Sequence, residues 1–142
     1  MKTMLAISLL AVCLTVGGCD DGSGGDPTEA DGVGIGAECA TRENCQPSQS
    51  DSETDTEPEL ICLEQFKGGY CGLEACTLNE ECPQGSVCVA HDDGQNYCFL
   101  RCTDKSQCNV NRSLDNESNC SANIEFVESE TTGKACVPPS AS

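Results

Sequence analysis

Cysteine spacing is the feature that most constrains how this chain can fold. The sequence has 14 cysteines in 142 residues, and twelve of them fall into three sets of four. Each set opens with two cysteines that bracket five residues, and the loops before the third cysteine have 16, 5 and 11 residues. The loops before the fourth have 8, 9 and 15 residues. A constant opening followed by loops of variable length predicts three copies of one small scaffold.

The three units occupy residues 37–73, 74–100 and 101–137, and residues 138–142 form a short tail. We expect the twelve cysteines of the units to form six disulfides: Cys39, Cys45, Cys62, Cys71, Cys76, Cys82, Cys88, Cys98, Cys102, Cys108, Cys120 and Cys136. Our working hypothesis pairs the first cysteine of a unit with its third, and the second with its fourth. Bridges between neighbouring units stay open as alternatives.

The scarcity of large side chains indicates that these bridges are needed for stability. The chain contains 3 Phe, 2 Tyr and no Trp, so hydrophobic burial alone would struggle to offset the loss of chain entropy. A disulfide that closes a short loop contributes on the order of 3 kcal/mol, chiefly by restricting the unfolded state. We therefore expect a small disulfide-rich fold of three tandem four-cysteine units, with little helix.

Apolar runs on either side of turn residues predict a short β-hairpin in each unit. "ELICLEQFKGGYC" turns at Lys67-Gly68-Gly69, and "GSVCVAHDDGQNYC" turns at Asp92-Asp93-Gly94. His91 is the one histidine of the chain, and its place beside the second turn predicts exposure to solvent. The opening C-x5-C segments are expected to be turns or single helical turns.

Metal binding is the competing interpretation of so many thiols. Structural zinc sites commonly bring their cysteines in C-x2-C pairs, and no two cysteines here are separated by only two residues. The EF-hand ligand spacing is also missing, so calcium is expected to bind weakly, if at all, to an acidic surface. We assign no metal ligands and no catalytic residues.

The amino terminus carries an export signal. Met1-Lys2 is followed by an uncharged apolar run that ends at Gly18, a pattern typical of a signal peptide and too short for a transmembrane helix. Val16-Gly17-Gly18-Cys19 resembles the lipobox of bacterial lipoproteins. That resemblance implies removal of residues 1–18 and a diacylglycerol on Cys19, usually with an acyl group on the new amino terminus. An ordinary signal peptide, with Cys19 incidental, is the alternative.

The lipobox implies a protein anchored by lipid to a membrane of the bacterial cell envelope. Asp20 resembles a retention signal for the inner membrane in some enteric bacteria, but that rule varies between lineages and we favour the outer membrane. Residues 19–36 combine the lipidated cysteine with acid and glycine, so we expect a disordered, flexible tether. Residues 47–59 are expected to form an acidic loop within the first unit.

The net charge of −17, from 24 acidic and 7 basic residues, narrows the choice of partners. Nucleic-acid backbones require a basic patch, so no nucleic-acid partner is expected. The same charge opposes electrostatic attraction to anionic lipid, and it keeps a surface solvated. The membrane is expected to be contacted through the lipid anchor alone.

The second unit and the start of the third resemble a known type of module. "CTLNEECPQGSVCVAHDDGQNYCFLRCTDKSQC" is similar to the small disulfide-rich modules of dickkopf and colipase type, and to short cysteine repeats of bacterial surface lipoproteins. The match covers about a quarter of the chain and rests on cysteine spacing. It implies a stapled architecture and transfers no ligand-contact residue.

These features together favour a non-catalytic surface or periplasmic module that binds or supports a protein or a polysaccharide. The variable loops are the expected contact surfaces, because recognition concentrates on loops that a rigid scaffold positions. The alternative is an inhibitor of a protease or another enzyme, since a stapled loop can be presented at low entropy cost. No cofactor is expected besides the lipid on Cys19.

Overall fold

The computed structural model describes residues 28–46 and 58–142. The expected signal peptide, Cys19 and residues 47–57 of the acidic loop lie outside the described residues. In the part of the chain that is described, no helix combines the length and the apolar character needed to cross a membrane.

Short antiparallel strands make up the fold, and there is almost no helix, as expected. In chain order the elements are α1 (Glu29–Val33), β1 (Ile61–Cys62), β2 (Cys71–Gly72), β3 (Ser86–Ala90), β4 (Asn96–Cys102), β5 (Asn119–Ser121), β6 (Glu125–Phe126) and β7 (Lys134–Val137). Strands β1 and β2 pair with each other in the first unit. The other five strands form one antiparallel sheet in the order β5-β7-β4-β3-β6, so the second and third units share a sheet.

The same cysteine geometry recurs in all three units. The third and fourth cysteines of a unit lie directly opposite each other on paired strands: Cys62 faces Cys71, Cys88 faces Cys98, and Cys120 faces Cys136. Each of them is bonded to the opening segment of its own unit: Cys39–Cys62, Cys45–Cys71, Cys76–Cys88, Cys82–Cys98, Cys102–Cys120 and Cys108–Cys136. The six expected disulfides are confirmed, with the pairing of first to third and second to fourth.

A side-chain acceptor closes the opening turn of each unit. The residue before the second cysteine is Asn44, Glu81 or Gln107, and its side-chain oxygen accepts the backbone N–H of the residue that follows the first cysteine. The donor to Asn44 is Ala40 at 3.0 Å, and the donor to Gln107 is Thr103 at 2.7 Å. Each turn then enters one turn of 3₁₀ helix beside its second cysteine. The C-x5-C spacing is thus a turn that caps itself.

The few aromatic side chains gather where the first two units meet. Phe66 and Tyr70 of the first unit pack against Tyr97 and Phe99 of the second, with ring centroids 5.2 Å apart for both Phe66–Tyr97 and Tyr70–Phe99. All four side chains are at most 2% exposed. Edge-to-face packing of this kind is worth about 0.5–1.5 kcal/mol per pair beyond the area buried. The units therefore share one hydrophobic core and are not independent beads.

The 15-residue loop between the last two cysteines of the third unit ties that unit to the second. Residues 121–135 leave β5 and supply β6, whose Phe126 pairs with Val89 on β3. The chain then returns as β7, whose Ala135 pairs with Arg101 on β4. The expected hairpin of the third unit exists as the β5–β7 pair, but its arm also crosses to the far edge of the sheet.

The carboxyl-terminal part of the expected tether is folded, contrary to prediction. Residues 28–36 contain α1, and Thr28 begins it with a capping box in which the Thr28 N–H donates to the Asp31 carboxylate at 2.9 Å. Ala30, Val33 and Ile35 are 0%, 3% and 4% exposed. Three apolar side chains among acids and glycines suffice, because they enter a core that other units have already formed. The acidic, glycine-rich composition of residues 19–36 gave no indication that these three side chains would be buried.

The folded segment docks on the second unit through a close backbone approach. The Ala30 N–H donates to the carbonyl oxygen of Gln84 at 2.8 Å. The adjacent Gly85 has φ of +98°, and a Cβ there would lie 2.1 Å from Thr28 Oγ1. Only glycine satisfies both the left-handed backbone and the contact.

Candidate binding surface

His91 lies against the aromatic core and not in open solvent, which corrects the sequence-based expectation. Its ring meets Phe66 edge-on, with centroids 5.2 Å apart, and its side chain is 14% exposed. The turn that follows is the expected one, since the His91 N–H donates to Gln95 O and the Gly94 N–H donates to His91 O, both at 2.9 Å. The position of His91 beside a turn predicts exposure. The inward direction of its ring could not be predicted, because the packing partner Phe66 belongs to another unit.

Asp93 is the polar centre of this turn. Its carboxylate accepts the Gln95 N–H at 2.9 Å and the Tyr97 hydroxyl at 2.8 Å. The pKa of Asp93 is lowered, because these bonds and the nearby His91 outweigh the opposing effect of burial. Burial raises the pKa of Tyr97, and the bond to Asp93 adds to that rise. The group holds the turn in shape and contains no activated nucleophile.

An open groove of about 580 Å³ lies between this turn and the arm of the third unit. Val89, Ile124 and Val137 form its apolar wall, and Asp92 and Glu125 lie at its exposed side. The groove is large enough for a small ligand. Its chemistry would favour a cationic group with an aliphatic stem, and no other feature of the described residues selects a ligand there.

Within residues 28–46 and 58–142, the close groupings of metal-type ligands consist of cysteine sulfurs, with one grouping in each unit. In each unit three cysteine sulfurs lie within 4.8 Å of one another. Metal ligation requires a thiolate, and every one of these sulfurs is bonded to another sulfur. The intact bridges therefore explain the grouping.

A loop of the third unit, residues 109–117, is held rigidly against the first unit by Arg112. The guanidinium donates to the carbonyl oxygens of Asn116 and Lys67, each at 2.7 Å, of Gly69 at 2.8 Å and of Gly36 at 3.2 Å. It also lies over the ring of Tyr70, 5.8 Å from its centroid. Burial lowers the pKa of Arg112 from its ordinary value. We call residues 109–117 the braced loop.

Glu38 of the first unit completes the bracing from the opposite side. Its carboxylate accepts the Ser113 N–H at 2.9 Å and the Asn116 side-chain amide at 2.5 Å, while its own N–H donates to Asn111 O at 3.0 Å. The hydrogen bond from the Ser113 N–H is the main reason that the pKa of Glu38 is lowered. A further bond between the units comes from Lys67 of the first unit, whose ammonium donates to Asp115 O of the loop at 2.6 Å.

The base of the braced loop is fixed within its own unit. The Asn109 side chain accepts the Ser118 N–H at 2.7 Å and donates to Ser118 O at 3.0 Å. Cys108, next to the loop, is bonded to Cys136. Both ends of the loop are therefore anchored before any contact with the first unit is counted.

The apolar side chains of the braced loop point into solvent. Val110 is 77% exposed and Leu114 is 87% exposed. Among the described residues, the large hydrophobic residue with the next highest exposure is Leu78, which is 41% exposed. Beside Val110 there is a small cavity of about 150 Å³, whose lining includes Ile35 and Leu100. The loop thus presents two apolar side chains that no residue of the described ranges, 28–46 and 58–142, covers.

Sequence reasoning missed the residues that build this surface. Arg112 lies in a polar stretch, and three of its four partners are backbone carbonyls of the first unit, far away in sequence, so no local signal marks its role. The turn acceptors Asn44, Glu81 and Gln107 did leave a signal. They occupy the same place before the second cysteine in all three units, and aligning the repeats by side-chain chemistry would have found them.

Comparison with protein-family models, with curated proteins and with solved structures finds no match for this chain.

Proposed function

We propose that this chain is a lipid-anchored, non-catalytic module of the bacterial cell envelope that binds another macromolecule through a preformed surface. The lipobox-like Val16-Gly17-Gly18-Cys19 supports the anchor, and six disulfides suit an exported protein. The anchor would be a diacylglycerol on Cys19 with an acyl group, and two or more chains are enough for stable attachment.

The observation that carries the binding role is the braced loop. Surface loops with no partner commonly turn their charged groups to water and move freely. Here Arg112 is directed inward to four carbonyl oxygens, while Leu114 is 87% exposed. A loop held in one conformation loses little entropy on binding, so the bracing favours recognition.

The anchor is tested by measuring the intact mass of the protein from native membranes, with thiols alkylated before and after reduction. We expect a lipidated Cys19 amino terminus and no alkylation until the bridges are reduced. A mass without lipid would show a released protein and would refute the anchoring part of the proposal.

The binding role is tested by photo-crosslinking in the native cells. A benzophenone amino acid is placed, one position at a time, at Leu78, Asp92, Val110, Leu114 and Glu130, all of which are exposed. Discrete adducts to a protein or a polysaccharide from at least one position would support a binding module. Irradiation that yields no adduct at any position would refute it.

An inhibitor is the second candidate, because the braced loop is also what an inhibitor would need: a rigid segment with one prominent side chain, Leu114. The full chain is titrated against endopeptidases that cleave after apolar residues. Stoichiometric inhibition with the 114–115 bond intact would favour this candidate. Cleavage of the loop without inhibition would eliminate it.

A further inference from the structure

We propose that Val110 and Leu114 are the apolar anchors with which this protein docks into an apolar cleft, rimmed by basic groups, on a partner protein. This inference rests on the proposed binding function and names the contact segment and the class of partner. It is based on the inside-out arrangement of the braced loop, in which Arg112 faces the protein while Val110 and Leu114 face solvent.

The inside-out arrangement lies in the choice of side chains that face the protein. The inward positions of the loop are taken by Arg112 and Asn116, which bond to Lys67 O and to Glu38 respectively. The outward positions include Val110 and Leu114, at 77% and 87% exposure, together with the polar residues Asn111, Ser113 and Asp115. Solvation alone would favour the reverse, since charge belongs in water and branched aliphatic side chains belong in a core.

The bracing fixes the backbone on both sides of the two anchors. Asn111 O accepts the Glu38 N–H at 3.0 Å just after Val110, and the Ser113 N–H donates to Glu38 at 2.9 Å just before Leu114. Asp115 O accepts from Lys67 directly after Leu114. The two side chains are therefore presented at a fixed spacing, which suits a shaped cleft in a partner.

Charge selects the rim of that cleft. The chain carries 24 acidic and 7 basic residues. Near the loop, Lys105 is paired with Glu117, and the cations of Arg112 and Lys67 are directed to backbone carbonyl oxygens. Asp31, at the cavity beside Val110, and Asp115, next to Leu114, are exposed. A basic rim complements these carboxylates and speeds association.

The same charge disfavours two other occupants of the surface. A second copy of the chain would bring like charge against like charge, and an anionic lipid surface would be repelled. Each of these occupants gives a distinct product in the test below.

The test uses the full-length protein in its native cells, with benzophenone at Val110 or Leu114 and at Leu78 as the matched control. Leu78 is also an apolar residue at the surface, on the opening turn of the second unit. We expect one protein adduct from both loop positions and none from Leu78. With the probe at Val110, Leu114→Asp should abolish the adduct, and Leu78→Asp should not.

The protein recovered from the adduct is then purified and titrated with the unmodified chain. Removing a buried leucine contact corresponds to an affinity change of roughly 10- to 100-fold, so we expect Leu114→Asp to weaken binding by at least that much. Leu78→Asp should leave affinity unchanged within about twofold, since rim positions away from the contact carry little binding energy. Added salt should weaken binding if the rim of the cleft is basic.

The remaining outcomes separate this inference from the proposed function. Adducts confined to Leu78, Asp92 or Glu130 would overturn the inference and leave the binding module standing. Adducts of the loop to lipid, to a polysaccharide or to a second copy of the chain would overturn the protein partner. The complete absence of adducts would overturn both proposals. Leu114 is exposed, so its variants are expected to fold, and their unfolding midpoints serve as the check.

Discussion

Two polar loops of this molecule are stabilised in opposite ways. The turn at residues 91–95 is held by its own neighbours in sequence: backbone bonds between His91 and Gln95, and the Asp93 carboxylate that accepts from Gln95 and Tyr97. The braced loop at 109–117 is held mainly by another unit, through Arg112 and Glu38. The conformation of a loop can be predicted from sequence when its contacts are local, but not when its contacts come from residues distant in sequence.

The difference matters for function because the two loops expose different chemistry. The local turn directs its ring, His91, into the core, and it leaves Asp92 and Gly94 at the surface. The braced loop directs Arg112 inward and leaves the aliphatic side chains of Val110 and Leu114 outside. The hydrogen bonds from the first unit therefore keep Val110 and Leu114 exposed, although their exposure to water is unfavourable. Hydrogen bonds local to a turn would not impose that exposure.

The largest expected effect comes from removing the brace itself. Arg112→Ala leaves the carbonyls of Gly36 and Gly69 without their donor inside the structure, and we expect a loss of about 3–5 kcal/mol in the free energy of unfolding. Urea unfolding with the disulfides intact measures it. Arg112→Lys is the control, because a single ammonium cannot match the fork of a guanidinium, and it should recover less than half of the loss.

Amide hydrogen exchange in the Arg112→Ala variant tests the comparison directly. Protection should fall at Glu38 and Ser113, whose bonds cross between the units, and should be retained at His91 and Gly94. Equal loss in both loops would show that the turn at 91–95 also depends on the brace, and the distinction between the loops would then collapse.

Tyr97→Phe is the matching substitution for the local turn. It deletes the hydroxyl that donates to Asp93 and accepts from Gln65 but keeps the ring in the aromatic core. We expect a loss of about 1–2 kcal/mol in the free energy of unfolding, with exchange faster at Gln95 and unchanged at Ser113. Faster exchange at Ser113 would contradict the independence of the two loops.

The part of the fold that the sequence predicts is the part set by local spacing. Two cysteines that bracket five residues predict a turn or a single helical turn, and Asp-Asp-Gly predicts the turn of the β3–β4 hairpin. The pairing of first to third and second to fourth cysteine is a working hypothesis from the sequence, with bridges between units left open. The structure supplies its reason, because the opening turn lies beside the two facing cysteines of its own strands.

The part that the sequence does not predict depends on contacts between units. Ala30, Val33 and Ile35 are buried because Gln84 and Gly85 offer a docking place, and nothing within residues 28–36 announces it. Arg112 is the same case at the candidate site, since backbone carbonyls carry no residue identity. A contact between a side chain and a backbone carbonyl does not depend on the residue type of the acceptor, so the sequence pattern does not predict it.

Acid should loosen the braced loop at one of its two supports. The pKa of Glu38 is lowered in the folded protein, chiefly by the hydrogen bond from the Ser113 N–H. Its contribution is therefore present above the ordinary carboxyl pKa and is lost as the pH falls through the lowered value. We expect the exchange protection of Ser113 to decline over that acid range, while the Glu38 amide, bonded to Asn111 O, stays protected.

The control for the acid effect is Glu38→Gln, which cannot titrate. At neutral pH this variant should already show reduced protection near Asn116, because a glutamine offers one acceptor oxygen where the carboxylate offers two. Its Ser113 protection should not change with acid. A decline of equal size in the variant would assign the acid effect to some other carboxyl group.

Replacing the two exposed aliphatic side chains of the braced loop should change stability very little. Leu114→Ser and Val110→Ser remove side chains that are 87% and 77% exposed, so the free energy of unfolding should change by no more than about 0.5 kcal/mol, as measured by urea unfolding. Leu100→Ser, at 8% exposure, is the buried control and should lose several times more. A large loss in the Leu114 variant would mean that the side chain supports the fold of the loop. A negligible loss would mean that the brace, and not the apolar pair, maintains the loop, so that these two side chains are free to serve a partner.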